Sequence, residues 1–126
     1  VILKGIKIFN DGDYFAAHDF FEDLWHSAES KNRNFFQGLT QLSVSCFHFV
    51  SGNFSGSLSQ LEKAKTKLLQ YLPDYMEINL TQLLSDINIF ETEIKIQLNT
   101  KTKTVNYAII PVIKLQQNKG AISWLL

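Results

Sequence analysis

Apolar residues recur along most of this chain at alternating spacings of three and four, the pattern of helices that each bury one face. Ile2, Ile6 and Phe9 mark a short first helix over Val1 to Phe9. Asp11-Gly12-Asp13 supplies a turn and an N-cap, and Tyr14, Ala17, Phe21, Leu24 and Ala28 predict a second helix over 14–28. Ser30 to Asn34 reads as a polar break. Phe35, Leu39, Leu42, Cys46 and Phe49 then resume the stripe, with Phe36, Phe47 and Val50 beside it, an apolar surface broad enough for a central helix. Ser51-Gly52-Asn53 closes that helix. Leu58, Leu61, Leu68 and Leu72 trace a fourth, with Lys63, Lys65 and Lys67 on another face and Pro73 as its stop. Leu80, Leu83, Leu84, Ile87, Phe90, Ile94 and Leu98 define a fifth, opened by Asn79.

Beyond residue 99 the helical period fails. Residues 100–104, TKTKT, are polar and β-branched, and Val105 to Leu115 carries Pro111 inside an apolar run, so an extended segment is expected there. The tail AISWLL, 121–126, is too apolar to stay in water and should pack back on the bundle or bind another chain. The chain therefore predicts an all-α fold: a single compact bundle of about five helices built from antiparallel helical hairpins over 1–99, with an extended C-terminal segment over 100–126.

At 126 residues the chain suits one domain that closes its core without disulfides or metal staples. Its 12 basic and 12 acidic side chains cancel, so no net field draws it to nucleic acid or to an anionic membrane. No apolar run reaches the ~18 residues of a membrane span, and VILKGIKIF has no signal-peptide pattern. A soluble protein of the cytoplasm or plastid stroma is expected. Val1 is not methionine, which leaves a preceding targeting segment open. Cys46, the single cysteine, lies in an apolar run and reads as a small buried hydrophobe, not a catalytic thiol.

Phe9 to Ala17, FNDGDYFAA, aligns with Phe49 to Ser57, FVSGNFSGS, at an offset of 40 residues. Each copy is a helix end, a Gly turn, an aromatic residue and small residues opening the next helix. Stacked helical hairpins repeat in this way, although every tight helix turn needs a glycine and a cap.

The short break places helices two and three antiparallel, so their residues should pair outward from it in order. Phe15, His18, Glu22, Trp25 and Glu29 form one stripe; Gln37, Gln41, Ser45 and His48 form the other. Folding the pair puts Glu29 near Arg33 and Gln37, Trp25 near Gln41, Glu22 near Gln41 or Ser45, and His18 near His48. Asp19, Asp23 and His26 fall on a solvated side.

Gly12-Asp13-Tyr14, Ala17-His18-Asp19 with Glu22 and Trp25, Phe36-Gln37-Gly38-Leu39, Gln41-Leu42, His48, Gly52-Asn53 and Gly56 together resemble the DUF309 family, small helical proteins of bacteria and plastids with no established biochemical function. The likeness covers a core of about 5–72 and is weak beyond residue 75. It implies an all-α bundle and a polar patch around the His-Glu-Trp helix, and no reaction.

The residues themselves support two classes of function. The first is a small binding or scaffold domain that recognises a peptide or protein through a pocket of His18, Glu22, Trp25, Arg33, Gln37, Gln41 and His48, with the apolar tail as a second route to a partner or a homo-oligomer. The same polar groups could instead form a closed structural network. The second class is a small metal-dependent or acid/base hydrolase-like enzyme. There His18, Glu22 and His48 would be catalytic or would hold a divalent metal, since His and Glu four residues apart on a helix can supply two ligands. Arg33, the only arginine, would pair with Glu29 or clamp an anion near the start of helix three. No nucleophile stands beside a base in the stripe, and no Gly-rich phosphate loop is present.

Overall fold

The computed structural model describes residues 1–116. They form α1 (Ile2–Asn10), α2 (Tyr14–Ser27), α3 (Ser30–Val50), α4 (Phe54–Leu68) and α5 (Leu80–Leu98), with a two-stranded hairpin, β1 (Asp74–Tyr75) and β2 (Ile78–Asn79), between α4 and α5. Consecutive helices pack on one another, α3 most extensively against α2 and α4. The five residues of the central stripe, Phe35, Leu39, Leu42, Cys46 and Phe49, are all fully buried. Phe9, Phe21, Leu61, Ile87 and Phe90 close the core around them. Fully burying a side chain of this size contributes about 1.5–3 kcal/mol, so the α3 stripe is a major source of the bundle's cohesion.

The two glycine turns are built alike. Gly12 and Gly52 take φ of 87° and 80°, left-handed values that a side chain resists. The amide of Gly12 donates to Phe9 and that of Asp13 to Ile8; the amide of Gly52 donates to Phe49 and that of Asn53 to His48. Asp13 caps α2 by accepting from the Ala16 amide, as Asn53 caps α4 by accepting from the Gly56 amide. Even the aromatic pairs match: Phe9 meets Tyr14 edge-on at 5.2 Å, and Phe49 meets Phe54 edge-on at 5.4 Å. The repeat seen in the sequence is thus a repeat of backbone structure.

Three expectations change. The polar stretch Ser30 to Asn34 is the first turn of α3, not a break, and only Ala28 and Glu29 separate α2 from α3. Its polar side chains are mostly exposed, so a helix accepts them without burying anything. The fourth helix ends at Leu68 and tightens into a 3-10 turn, Leu69–Tyr71, that brings Tyr71 onto the core in place of Leu72. The Tyr71 ring packs against Phe35 at 5.2 Å and Tyr75 at 4.7 Å, its hydroxyl donates to the Lys31 carbonyl, and Leu72 is exposed. Tyr107–Ile109, inside the segment expected to be extended, is also a 3-10 turn.

After that turn the chain runs as a strap along the bundle, burying Ile110, Pro111 and Ile113. Leu115 bridges Ile78, the Asn79 amide donates to the Lys114 carbonyl, and the Gln116 amide donates to the Glu77 carbonyl. Asn10 grips the strap from α1, its amide donating to the Ile113 carbonyl at 2.8 Å and accepting from the Ile113 amide at 2.9 Å. Residues 110–116 therefore pack on the bundle; the AISWLL tail lies outside the described residues. Among the described residues, no helix is long and apolar enough to cross a membrane.

Candidate functional site

Gly38 decides which way α3 faces. A Cβ there would stand 3.0 Å from the Leu68 side chain, tight enough that α4 would have to give by a few tenths of an ångström, so glycine suits the close approach of α3 to α4. That contact turns the neighbouring polar positions toward α4. Gln41 accepts from the Lys67 ammonium at 2.9 Å, and the buried Ser45 hydroxyl donates to the Ser57 carbonyl at 2.7 Å. Gln41 and Ser45 thus pair with α4, not with Trp25 and Glu22 of α2. Lys67 loses part of its hydration there, and burial together with the nearby Lys63 charge lowers its pKa.

The face of α3 that meets the start of α2 carries Val44, Phe47 and His48 instead. With Phe15 and His18 of α2 these line a cavity of about 220 Å³. Phe15 and Phe47 meet edge-on at 5.7 Å across its mouth and are 56% and 39% exposed. Two large aromatic rings left in water beside each other, around an apolar hollow, cost hydration that folding does not recover. His18 packs against Phe15 at 5.6 Å, and His48 against Phe47 at 6.2 Å. His18 and His48 both line this cavity.

The two imidazoles are held differently. The Nε2 atom of His18 lies 3.4 Å from Glu22 and its Nδ1 lies 3.3 Å from Asp19, so a carboxylate stands beside each ring nitrogen. Across the pocket, the Asn53 side-chain oxygen accepts from the Gly56 amide, which fixes the orientation of the Asn53 amide. Its NH₂ then faces Nδ1 of His48 at 3.3 Å and can donate to it when that nitrogen is unprotonated. The α4 cap and the orientation of His48 are one hydrogen-bonded unit.

The remaining candidates lie apart from this cavity or outside its lining. Trp25 stacks on His26 at 5.1 Å and is partly buried on the core. Gln37 is partly buried without a side-chain hydrogen bond among the described residues. Arg33 is exposed in the first turn of α3, and Glu29 pairs with Lys31 at 3.9 Å in place of Arg33. No closed network forms around His18, because Asp19 and Glu22 are open to solvent and Gln41 is engaged elsewhere. Among the described residues no group of three or more His, Cys, Asp or Glu could hold a metal ion, so His18, Glu22 and His48 do not make a ligand set. Cys46 is fully buried, and burial pushes its thiol far up, which leaves it unreactive at neutral pH.

Phe47 and Val44 line the site and Asn53 supports it through His48, although the sequence set Phe47 beside the core stripe, gave Val44 no role and marked Asn53 only as part of a helix-ending turn. The available signal was excess: α3 carries more apolar residues than its two helical neighbours can cover. A second hollow, about 300 Å³, lies between α5 and the strap at Asp86, Ile89, Ile110 and Val112. Asp86 and Lys114 both line it, so a carboxylate and an ammonium already share that hollow.

Residues 2–60 match the family described as Domain of unknown function (DUF309). The match covers both glycine turns and every residue that lines the α2–α3 cavity. No curated protein matches the chain, and neither does any solved structure.

Proposed function

We propose that this DUF309 chain is a small binding domain whose α2–α3 pocket receives one apolar side chain of a protein or peptide partner. The observation that carries the reading is the exposed Phe15–Phe47 pair around an apolar hollow floored by Val44. At about 220 Å³ the hollow is smaller than the ~300–1,000 Å³ of sites that enclose whole small molecules, and it suits a single anchoring side chain. Aromatic residues in such positions dominate the energetics of protein interfaces. The acid/base alternative has weaker support, since the two histidines face the pocket with neither a nucleophile nor a buried carboxylate between them.

Selection of a random peptide library on the folded protein tests this. Enriched peptides should share one large apolar residue and should lose binding to Phe47→Ser, a substitution at an exposed site that leaves the core intact. Enrichment indifferent to Phe47→Ser and to Phe15→Ser would remove the reading.

A further inference from the structure

The chain is neutral overall, but its charges are segregated around the pocket. From Asn34 to Leu61, which includes the α3 wall and the whole α3–α4 turn, there is no Asp, Glu, Lys or Arg. The α2 wall, Tyr14–Ser27, carries Asp19, Glu22 and Asp23 and no Lys or Arg. Its flanking cap adds Asp13. The nearest basic residues along α2 and α3 are Lys31 and Arg33, at the opposite end of the antiparallel pair, and Lys7 of α1 is already paired with Asp11 at 2.9 Å. Asp19 and Glu22 lie beside the lining residue His18 with 61% and 41% of their side chains exposed, and among the described residues each pairs only with His18.

From this placement we infer that the partner is a basic segment: an aromatic or aliphatic anchor that enters between Phe15 and Phe47, flanked by lysine or arginine that meets Asp19 and Glu22. The inference rests on the pocket reading above and deepens it. An acidic flank would face two carboxylates, whereas a basic flank finds two exposed carboxylates beside His18. The apolar contact supplies affinity and the rim charges choose among apolar segments. Exposed ion pairs are individually weak, so the rim sharpens selectivity by a modest factor and does so less at high salt.

Titration of the ¹⁵N-labelled protein with three blocked pentapeptides, Gly-Lys-Phe-Lys-Gly, Gly-Glu-Phe-Glu-Gly and Gly-Lys-Ala-Lys-Gly, separates the two layers. The lysine–phenylalanine peptide should bind about fivefold or more tighter than the glutamate–phenylalanine peptide, the factor of two exposed pairs. That gap should close in the Asp19→Asn, Glu22→Gln double variant, and the alanine peptide should not saturate. Equal affinity of both phenylalanine peptides, or preference for the acidic one, with loss of both in Phe47→Ser, overturns the basic partner and leaves the pocket reading standing. Equal binding of the phenylalanine and alanine peptides, or saturation by none, overturns the pocket reading and this inference together.

Discussion

The turn at 9–17 and the turn at 49–57 have the same backbone, the same cap geometry and the same edge-on aromatic pair, yet they serve different ends. The first ties the bundle together. Its Asn10 grips the C-terminal strap at Ile113, while position 50, its counterpart, holds a partly buried valine. The second shapes a pocket. It has His48 where the first has Ile8, and Phe47 where the first has Lys7. Asn53 in place of Asp13 is the telling change, because either residue caps a helix but only the amide can also donate to a histidine. A shared local grammar fixes the backbone, and the side chains flanking it decide whether a turn becomes a brace or a binding site.

Removing the buried aromatic from each turn should break the symmetry most visibly. Phe9→Ala and Phe49→Ala should each cost about 3–5 kcal/mol in denaturant unfolding. Phe49→Ala should cost more, because that ring also packs on Phe90 at 4.8 Å; equal losses would contradict the asymmetry. Asn10→Ala deletes both hydrogen bonds to Ile113 and should cost about 1–3 kcal/mol, with faster amide exchange over 110–115. Val50→Ala should leave strap exchange unchanged. Gly12→Ala and Gly52→Ala meet open space at left-handed φ, so each should cost about 1–2 kcal/mol, and by similar amounts.

The smallest effect separates Tyr14 from Phe54, which occupies the matching place. Burial, with the neighbouring Cys46 thiol adding to it, pushes the Tyr14 phenol up to about 12. The folded state therefore disfavours tyrosinate, so this contribution to stability is full below the unfolded pKa of about 10 and fades as pH rises toward 12. Alkaline unfolding should be shallower in Tyr14→Phe than in the parent chain. An unchanged slope between pH 10 and 12 would show that Tyr14 is not the group involved.

The five helices were legible because each carries a sustained stripe; Asp13 and Asn79 open helices as their positions predict, and Asn53, read as closing the third helix, caps the fourth. Less legible was anything that depends on a register set elsewhere. Met76 and Glu77 form the hairpin turn in left-handed conformations, with φ of 46° and 66°, and neither residue type advertises that turn. The polar stripe of α3 looked continuous from Gln37 to His48, but the close approach at Gly38 directs Gln41 and Ser45 to α4 and leaves His48 with α2. Half of the candidate site was therefore visible as a pattern. The other half, Phe47 over Val44, looked like core because periodicity records which residues are apolar and not which of them find cover.

Backbone chemical-shift mapping with the lysine–phenylalanine pentapeptide tests the central claim most directly. Perturbations should centre on Phe15, His18, Val44, Phe47 and His48, with the α5 and strap residues Ile89 and Val112 unmoved. Perturbations centred on Ile89 and Val112, with the α2–α3 pocket silent, would contradict it.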